Sequence, residues 1–172
     1  WKRENPNGRV LRPDETIRAQ NKYEPADWES QVAKMPVTTS AQLDNALEPR
    51  ALVVGVTING KAKAYPFSAI EKQAPILDSL GGRYIVILLA DDGKSVRVFE
   101  REVNGKKLEI LKKPDSTEFV DAETGSTWDF AGKAVSGELA GSQLVKISAI
   151  KDYWFDWRTY NPDTELYLLG AR

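Results

Sequence analysis

From residue 51 onward, apolar positions come in short runs separated by glycine-containing dipeptides, the pattern of strands joined by tight turns. Residues 51–58 (ALVVGVTI) and 61–66 flank Asn59-Gly60. That dipeptide predicts a two-residue hairpin, because both turn positions need positive φ. Residues 84–90 are apolar without a break and predict a buried central strand, entered from Gly81-Gly82. Asp92-Gly93 turns the chain back into a strand over 95–103, where Val96, Val98 and Glu100 share one face and Arg97, Phe99 and Arg101 the other. Asn104-Gly105 is a third such turn and leads into a strand over 107–111. Residues 118–122 and 126–130 flank a turn around Gly125, and shorter strands are predicted at 134–136, 143–147 and 165–169. Helical signals are few. Residues 40–47 have Ser40 as N-cap and Pro49 as stop, residues 68–73 are closed by Pro75, and the aromatic block 153–157 reads as a helical turn.

Residues 1–50 differ from the rest of the chain. Four of the nine prolines (Pro6, Pro13, Pro25, Pro36) fall in the first 36 residues, among many charges and little periodicity. This stretch reads as an extended arm with a short helix around 27–34, carrying Trp1, Tyr23 and Trp28 as anchors for its own domain or a partner. The expected organisation is therefore an arm over 1–50 and one domain over 51–172. Its fold class is mainly β, at the margin of α+β: a single antiparallel sandwich or partly open barrel with a few short helices.

Composition narrows the chemistry more than the fold. A 172-residue chain with 41% hydrophobic residues builds a core without help from metal or disulfide. Lys and Arg number 24 against 25 Asp and Glu, so net charge draws the chain toward neither nucleic acid nor an anionic membrane. No apolar run reaches the ~18 residues of a membrane span. There is no Cys and no His. Thiolate nucleophiles, imidazole general bases and metal sites built on sulfur or imidazole are thereby excluded. Any catalysis would rest on carboxylates, Lys, Tyr, Ser/Thr or a borrowed cofactor, and no cofactor is expected for this chain.

Between Leu52 and Leu168 the order of short motifs resembles a bacterial and archaeal family, domain of unknown function 3179. The matching pieces include Val53-Val54-Gly55-Val56-Thr57-Ile58-Asn59-Gly60, Ala62-Lys63-Ala64-Tyr65-Pro66 and Asp78-Ser79-Leu80-Gly81-Gly82. Val98-Phe99-Glu100-Arg101, Glu123-Thr124-Gly125-Ser126-Thr127-Trp128 and Gly137-Glu138-Leu139-Ala140-Gly141 continue the series. The aromatic block with Asn161-Pro162-Asp163-Thr164-Glu165 after it closes the series. The resemblance implies a His between the Tyr-Pro and the Gly-Gly, and a Cys-Pro-Xaa-Cys element at the end of the next strand. Those positions fall on Gln73, Ala90 and Gly93, none of which is a soft metal ligand or a thiol. Any chemistry those residues perform in the family is absent from this member, which is expected to be a non-catalytic version of the fold.

Three further constellations each have an ordinary structural explanation. Asp91-Asp92-Gly93 could offer oxygen ligands to Ca²⁺, but Asp before Gly is also what a turn requires. Asp152, Trp154, Asp156 and Trp157, with Trp128, hold the rings and carboxylates of a sugar site, and Asp121, Glu123 and Glu138 could join them. The same residues serve equally as core and helix caps. Tyr65 is either a phenol in a pocket or a half-buried strand residue. The leading functional expectation is a non-enzymatic accessory or protein-interaction module, an exported subunit contacting a larger assembly through its arm. The start at Trp1, the resemblance and the absence of cysteine point to a periplasmic or extracellular location. The alternatives are a small-ligand or glycan-binding module using the Trp-rich C-terminal region, and a carboxylate-dependent hydrolase.

Overall fold

The computed structural model describes residues 5–12, 14–20, 27–37 and 45–169. The chain divides into two compact units, Trp1–Pro36 and Val37–Arg172. The first holds two single-turn helices, α1 (Glu15–Ala19) and α2 (Trp28–Val32). Asp14 starts α1 by accepting the backbone N–H groups of Thr16 and Ile17 at 2.8 and 3.4 Å, which holds its carboxyl below the ordinary range. The helix expected around 27–34 is α2, begun at Asp27, whose carboxylate also accepts from Gln31 Nε2 at 2.7 Å. Trp1 and Tyr23, and most of the helix expected over 40–47, lie outside the described residues.

The second unit runs β1 (Leu52–Ile58), β2 (Lys61–Pro66), α3 (Phe67–Gln73), β3 (Ile76–Leu80), β4 (Arg83–Leu89), β5 (Val96–Glu100), β6 (Glu102–Val103), β7 (Lys106–Lys107), β8 (Ile110–Lys112), β9 (Phe119–Asp121), β10 (Thr127–Trp128), β11 (Ala134–Ser136), β12 (Lys146–Ile147), β13 (Ala149–Tyr153), α4 (Trp154–Tyr160) and β14 (Glu165–Leu166). Three four-stranded sheets form, in the orders β13-β1-β2-β14, β12-β5-β4-β3 and β11-β10-β9-β8, besides the β6-β7 ribbon. Every pairing is antiparallel except β14 against β2. The mainly β, antiparallel expectation holds, and among the described residues no barrel closes.

The burial pattern shows how the sheets stack. Val54, Val56, Ile58 and Tyr65 of the first sheet share a core with Ile76, Leu80, Ile85, Ile87 and Val98 of the second. Val86, Leu88 and Phe99, on the opposite face of the second sheet, share another with Ile110, Phe119, Trp128 and Ala134 of the third. Val53 and Ala64, on the outer face of the first sheet, pack under Trp154 and Trp157 of α4. The order of layers is therefore α4, first sheet, second sheet, third sheet. The second sheet is covered on both faces along the middle of β4, where Ile85, Val86, Ile87 and Leu88 are all 0% exposed. Each such side chain contributes roughly 1.5–3 kcal/mol relative to exposure.

The first hairpin forms where expected, with Asn59 and Gly60 at φ 49° and 75°. The expected strand over 95–103 is split in two at Arg101. That side chain turns inward, donating to the carbonyls of Ile85 at 3.1 Å and Leu108 at 2.8 Å, and ties β4 to the segment between β7 and β8. Two strands lack the expected sequence signal. In β3, Asp78 occupies an inward position and breaks the apolar alternation. In β13, the first three residues are exposed, so only backbone pairing to β1 defines it.

α4 lies close against the first sheet because Gly55 of β1 has no side chain. A Cβ there would stand 2.3 Å from the Trp157 ring. Trp157 then donates its indole N–H to Thr164 Oγ1 at 2.9 Å, fixing the approach to β14.

Candidate functional site

Several of the segments that carry the family resemblance, among them 53–60, 62–66 and 78–82, meet where the first and second sheets face each other. Lys63 and Tyr65, two apart on β2, point toward the second sheet, and Asp78 on β3 points back. Lys63 Nζ reaches Asp78 Oδ2 at 2.7 Å, with the two side chains 15% and 18% exposed. Tyr65 is fully buried, and its hydroxyl donates to the same Asp78 oxygen at 2.9 Å. Tyr167 comes just after β14, held by its backbone N–H on the Ala64 carbonyl at 2.9 Å. Its ring lies 5.3 Å from that of Tyr65. The Lys63 ammonium stands over both rings, 5.7 and 5.8 Å from their centroids, and 4.0 Å from Glu165.

Burial, together with the Asp78 charge, pushes the Tyr65 phenol far above its ordinary range and raises that of Tyr167 as well. Both remain neutral hydrogen-bond donors. The Tyr65 proton is committed to Asp78, and the Lys63 charge is matched chiefly by that same carboxylate. The cluster is thus internally compensated.

The network ends on one of the positions singled out from sequence. Tyr167 donates its hydroxyl to Gln73 Oε1 at 2.8 Å, at the C-terminal end of α3. Ala74 and Leu89, the neighbours of Gln73 and Ala90, pack on the same core, so these two positions lie at one end of the second sheet. Ala90 and Gly93 occupy a single turn, in which the Gly93 N–H donates to the Ala90 carbonyl at 3.0 Å. Asp92 closes this turn by accepting the N–H groups of Lys94 and Ser95 at 2.8 Å each and the Ser95 hydroxyl at 2.6 Å. Those bonds lower its pKa to about 2. Asp91 pairs with Lys112 at 2.8 Å. The two acids thus serve the turn and an ion pair, and no group of three or more metal-ligating side chains exists among the described residues.

Beside the network, a shallow depression of about 460 Å³ is lined by Asn59, Lys61, Ser79, Leu80, Gly81, Gly82 and Glu165. Its floor is the junction of two hairpin tips. Asn59 Nδ2 donates to the Gly81 carbonyl at 2.8 Å. Gly81, at φ +55°, lies so close to the Ile58 backbone that a Cβ would stand 2.3 Å from the Ile58 oxygen.

A family model described as "Protein of unknown function (DUF3179)" matches residues 1–164. The chain belongs to this family. The match takes in the N-terminal arm as well as the β-rich segment in which the resemblance is visible by eye. No curated protein and no solved structure matches the chain.

The DUF3179 motifs rich in Gly and Trp thus have structural roles that can be named, and the aromatic residues considered for sugar binding fall into two separate cores. Trp128 is 1% exposed in the core between the second and third sheets, where its indole N–H donates to the buried carboxylate of Asp121 at 2.9 Å. Trp154 and Trp157, 1% and 5% exposed, lie two layers away under α4. A buried indole offers no face to a sugar ring, so core packing describes all three. Glu123 caps the Glu109 N–H at 2.7 Å, and Glu138 pairs with Lys106 at 2.9 Å.

Asp152 and Asp156 do come together. Asp152 accepts the Tyr153 N–H at 2.7 Å, and burial raises its pKa, helped by the charge of Asp156 and a hydrogen bond to it.

Lys63, Asp78 and Tyr167 carry no signal as a group in the sequence. They are far apart along the chain and meet only through strand register, although Lys63 and Asp78 each lie inside a matched motif.

Proposed function

We propose that this protein is a non-enzymatic accessory module, exported to the periplasm or beyond, that joins a larger protein assembly through its N-terminal arm. One observation carries this reading. Val10, Leu11, Ile17 and Trp28, all within residues 1–36, are 69%, 97%, 41% and 43% exposed. A short unit that does not bury its own large apolar side chains gains by covering them with another surface, which the proposal takes to be a partner's. The self-compensated Lys63–Asp78–Tyr65 network supports a module without catalysis, as do Gln73, Ala90 and Gly93 at the positions where the resemblance implies reactive residues.

Size-exclusion chromatography with light scattering on the untagged protein from its source tests the proposal. The expected result is a mass well above 19.2 kDa with other polypeptides co-eluting, reduced to the monomer when residues 1–36 are deleted. A monomer from the source, or an assembly that survives the deletion, overturns it.

A second reading, a small-ligand-binding module, is favoured by the depression at the hairpin tips.

A further inference from the structure

We propose that the depression between the tips of the β1–β2 and β3–β4 hairpins binds a small zwitterion, a free α-amino acid or short peptide carrying both a carboxylate and an ammonium group. Two unlike charges stand on one wall. Lys61 and Glu165 both line the depression, on the neighbouring strands β2 and β14. Lys61 makes no ion pair among the described residues. Glu165 is 63% exposed at its side chain and lies 4.0 Å from Lys63, whose short contact of 2.7 Å goes to Asp78 instead. Both rim charges therefore keep capacity for a ligand.

A lone anion gains Lys61 but meets Glu165, and a lone cation meets the reverse. Only a ligand of both signs is attracted by both. The remaining lining narrows the class further. Among the described residues Leu80 is the sole large apolar side chain lining it and is itself only 4% exposed, so a lipophilic ligand finds little surface. No aromatic ring among the described residues lines it, so they offer a sugar nothing to stack on. Ser79 adds a hydroxyl able to donate or accept. The floor is pre-organised by the Asn59–Gly81 hydrogen bond of 2.8 Å, so little ordering opposes binding.

The test is a titration of the ¹⁵N-labelled full chain with alanyl-alanine, its N-acetylated form and its C-terminal amide, monitored by NMR. The expected result is saturable movement of the Ser79, Gly81 and Gly82 amide signals with the zwitterion. Each blocked peptide should bind about three- to fivefold more weakly, as loss of one exposed ion pair allows. Lys61→Gln and Glu165→Gln should each cost the same factor while leaving signals elsewhere in place. Absence of saturable movement below about 50 mM overturns the proposal. So does equal binding of the blocked peptides, which would mean that the peptide backbone and not the two charges is recognised.

Discussion

Lys63 and Asp78 form an ion pair at 2.7 Å between two stacked sheets, and the Tyr65 hydroxyl shares the same carboxylate oxygen. Asp78→Asn leaves the ammonium half-buried with its nearest counter-charge 4.0 Å away at Glu165. It is expected to cost about 2–3 kcal/mol. Tyr65→Phe removes one neutral donor and is expected to cost about 1 kcal/mol. Urea unfolding of both variants checks the ranking, and equal losses would show that the hydroxyl rather than the ion pair holds the sheets together.

Gly55→Ala tests how closely α4 approaches the first sheet. The new methyl would meet the Trp157 ring at 2.3 Å. A loss of about 2–4 kcal/mol is expected, with a red shift of tryptophan emission as the helix lifts. A stability equal to the parent would mean that α4 has room to move.

Gly81 and Gly82 both have positive φ, 55° and 81°, yet only Gly81 is crowded. Gly82→Ala is expected to cost about 1 kcal/mol, the strain of the left-handed conformation alone. Gly81→Ala adds a clash with the Ile58 carbonyl and is expected to cost at least twice as much. Thermal unfolding distinguishes them.

Two carboxylates give pH dependences of opposite sign. Asp92 is lowered from 3.8 to about 2 by its turn hydrogen bonds, so its stabilisation is full above 3.8 and lost as pH falls toward 2. Asp152 is raised above 3.8, chiefly by burial, so its charged form weighs against the fold at neutral pH and the penalty disappears on acidification. Asp152→Asn should raise Tm at pH 7, with the gap to the parent closing toward pH 3.8. Asp92→Asn should flatten the fall in Tm between pH 3.8 and 2. A parent-like profile in either variant would contradict the corresponding assignment.

Because Trp128, Trp154 and Trp157 are at most 5% exposed, a panel of oligosaccharides should leave their emission unchanged. Saturable quenching by any glycan would require one of these indoles to become accessible on binding.

The parts of the fold visible in the sequence are those where one residue type has one physical use. Asn59-Gly60 needs two positive φ angles, and the unbroken apolar run supplies the four fully buried residues 85–88. The strand β3 is hidden because Asp78, an inward residue, reads as a surface one until its partners Lys63 and Tyr65 are known. The edge strand β13 is hidden because it buries little. Trp154 and Trp157 are legible as an aromatic block, but whether such rings face water or a core depends on layers built from residues far earlier in the chain, here Val53 and Ala64. Lys61 and Glu165 give no sign that they share one wall, since a parallel pairing of only two residues joins their strands.

The double burial of β4 has a consequence for how its orientation is specified. A strand wetted on one side announces which residues face inward; β4 does not. A slip by one residue would exchange Ile85 and Ile87 with Val86 and Leu88 between the two compartments while keeping every one of them dry. The parity of the strand is therefore written at its ends, by the Gly81-Gly82 turn on one side and the Asp92-closed turn on the other.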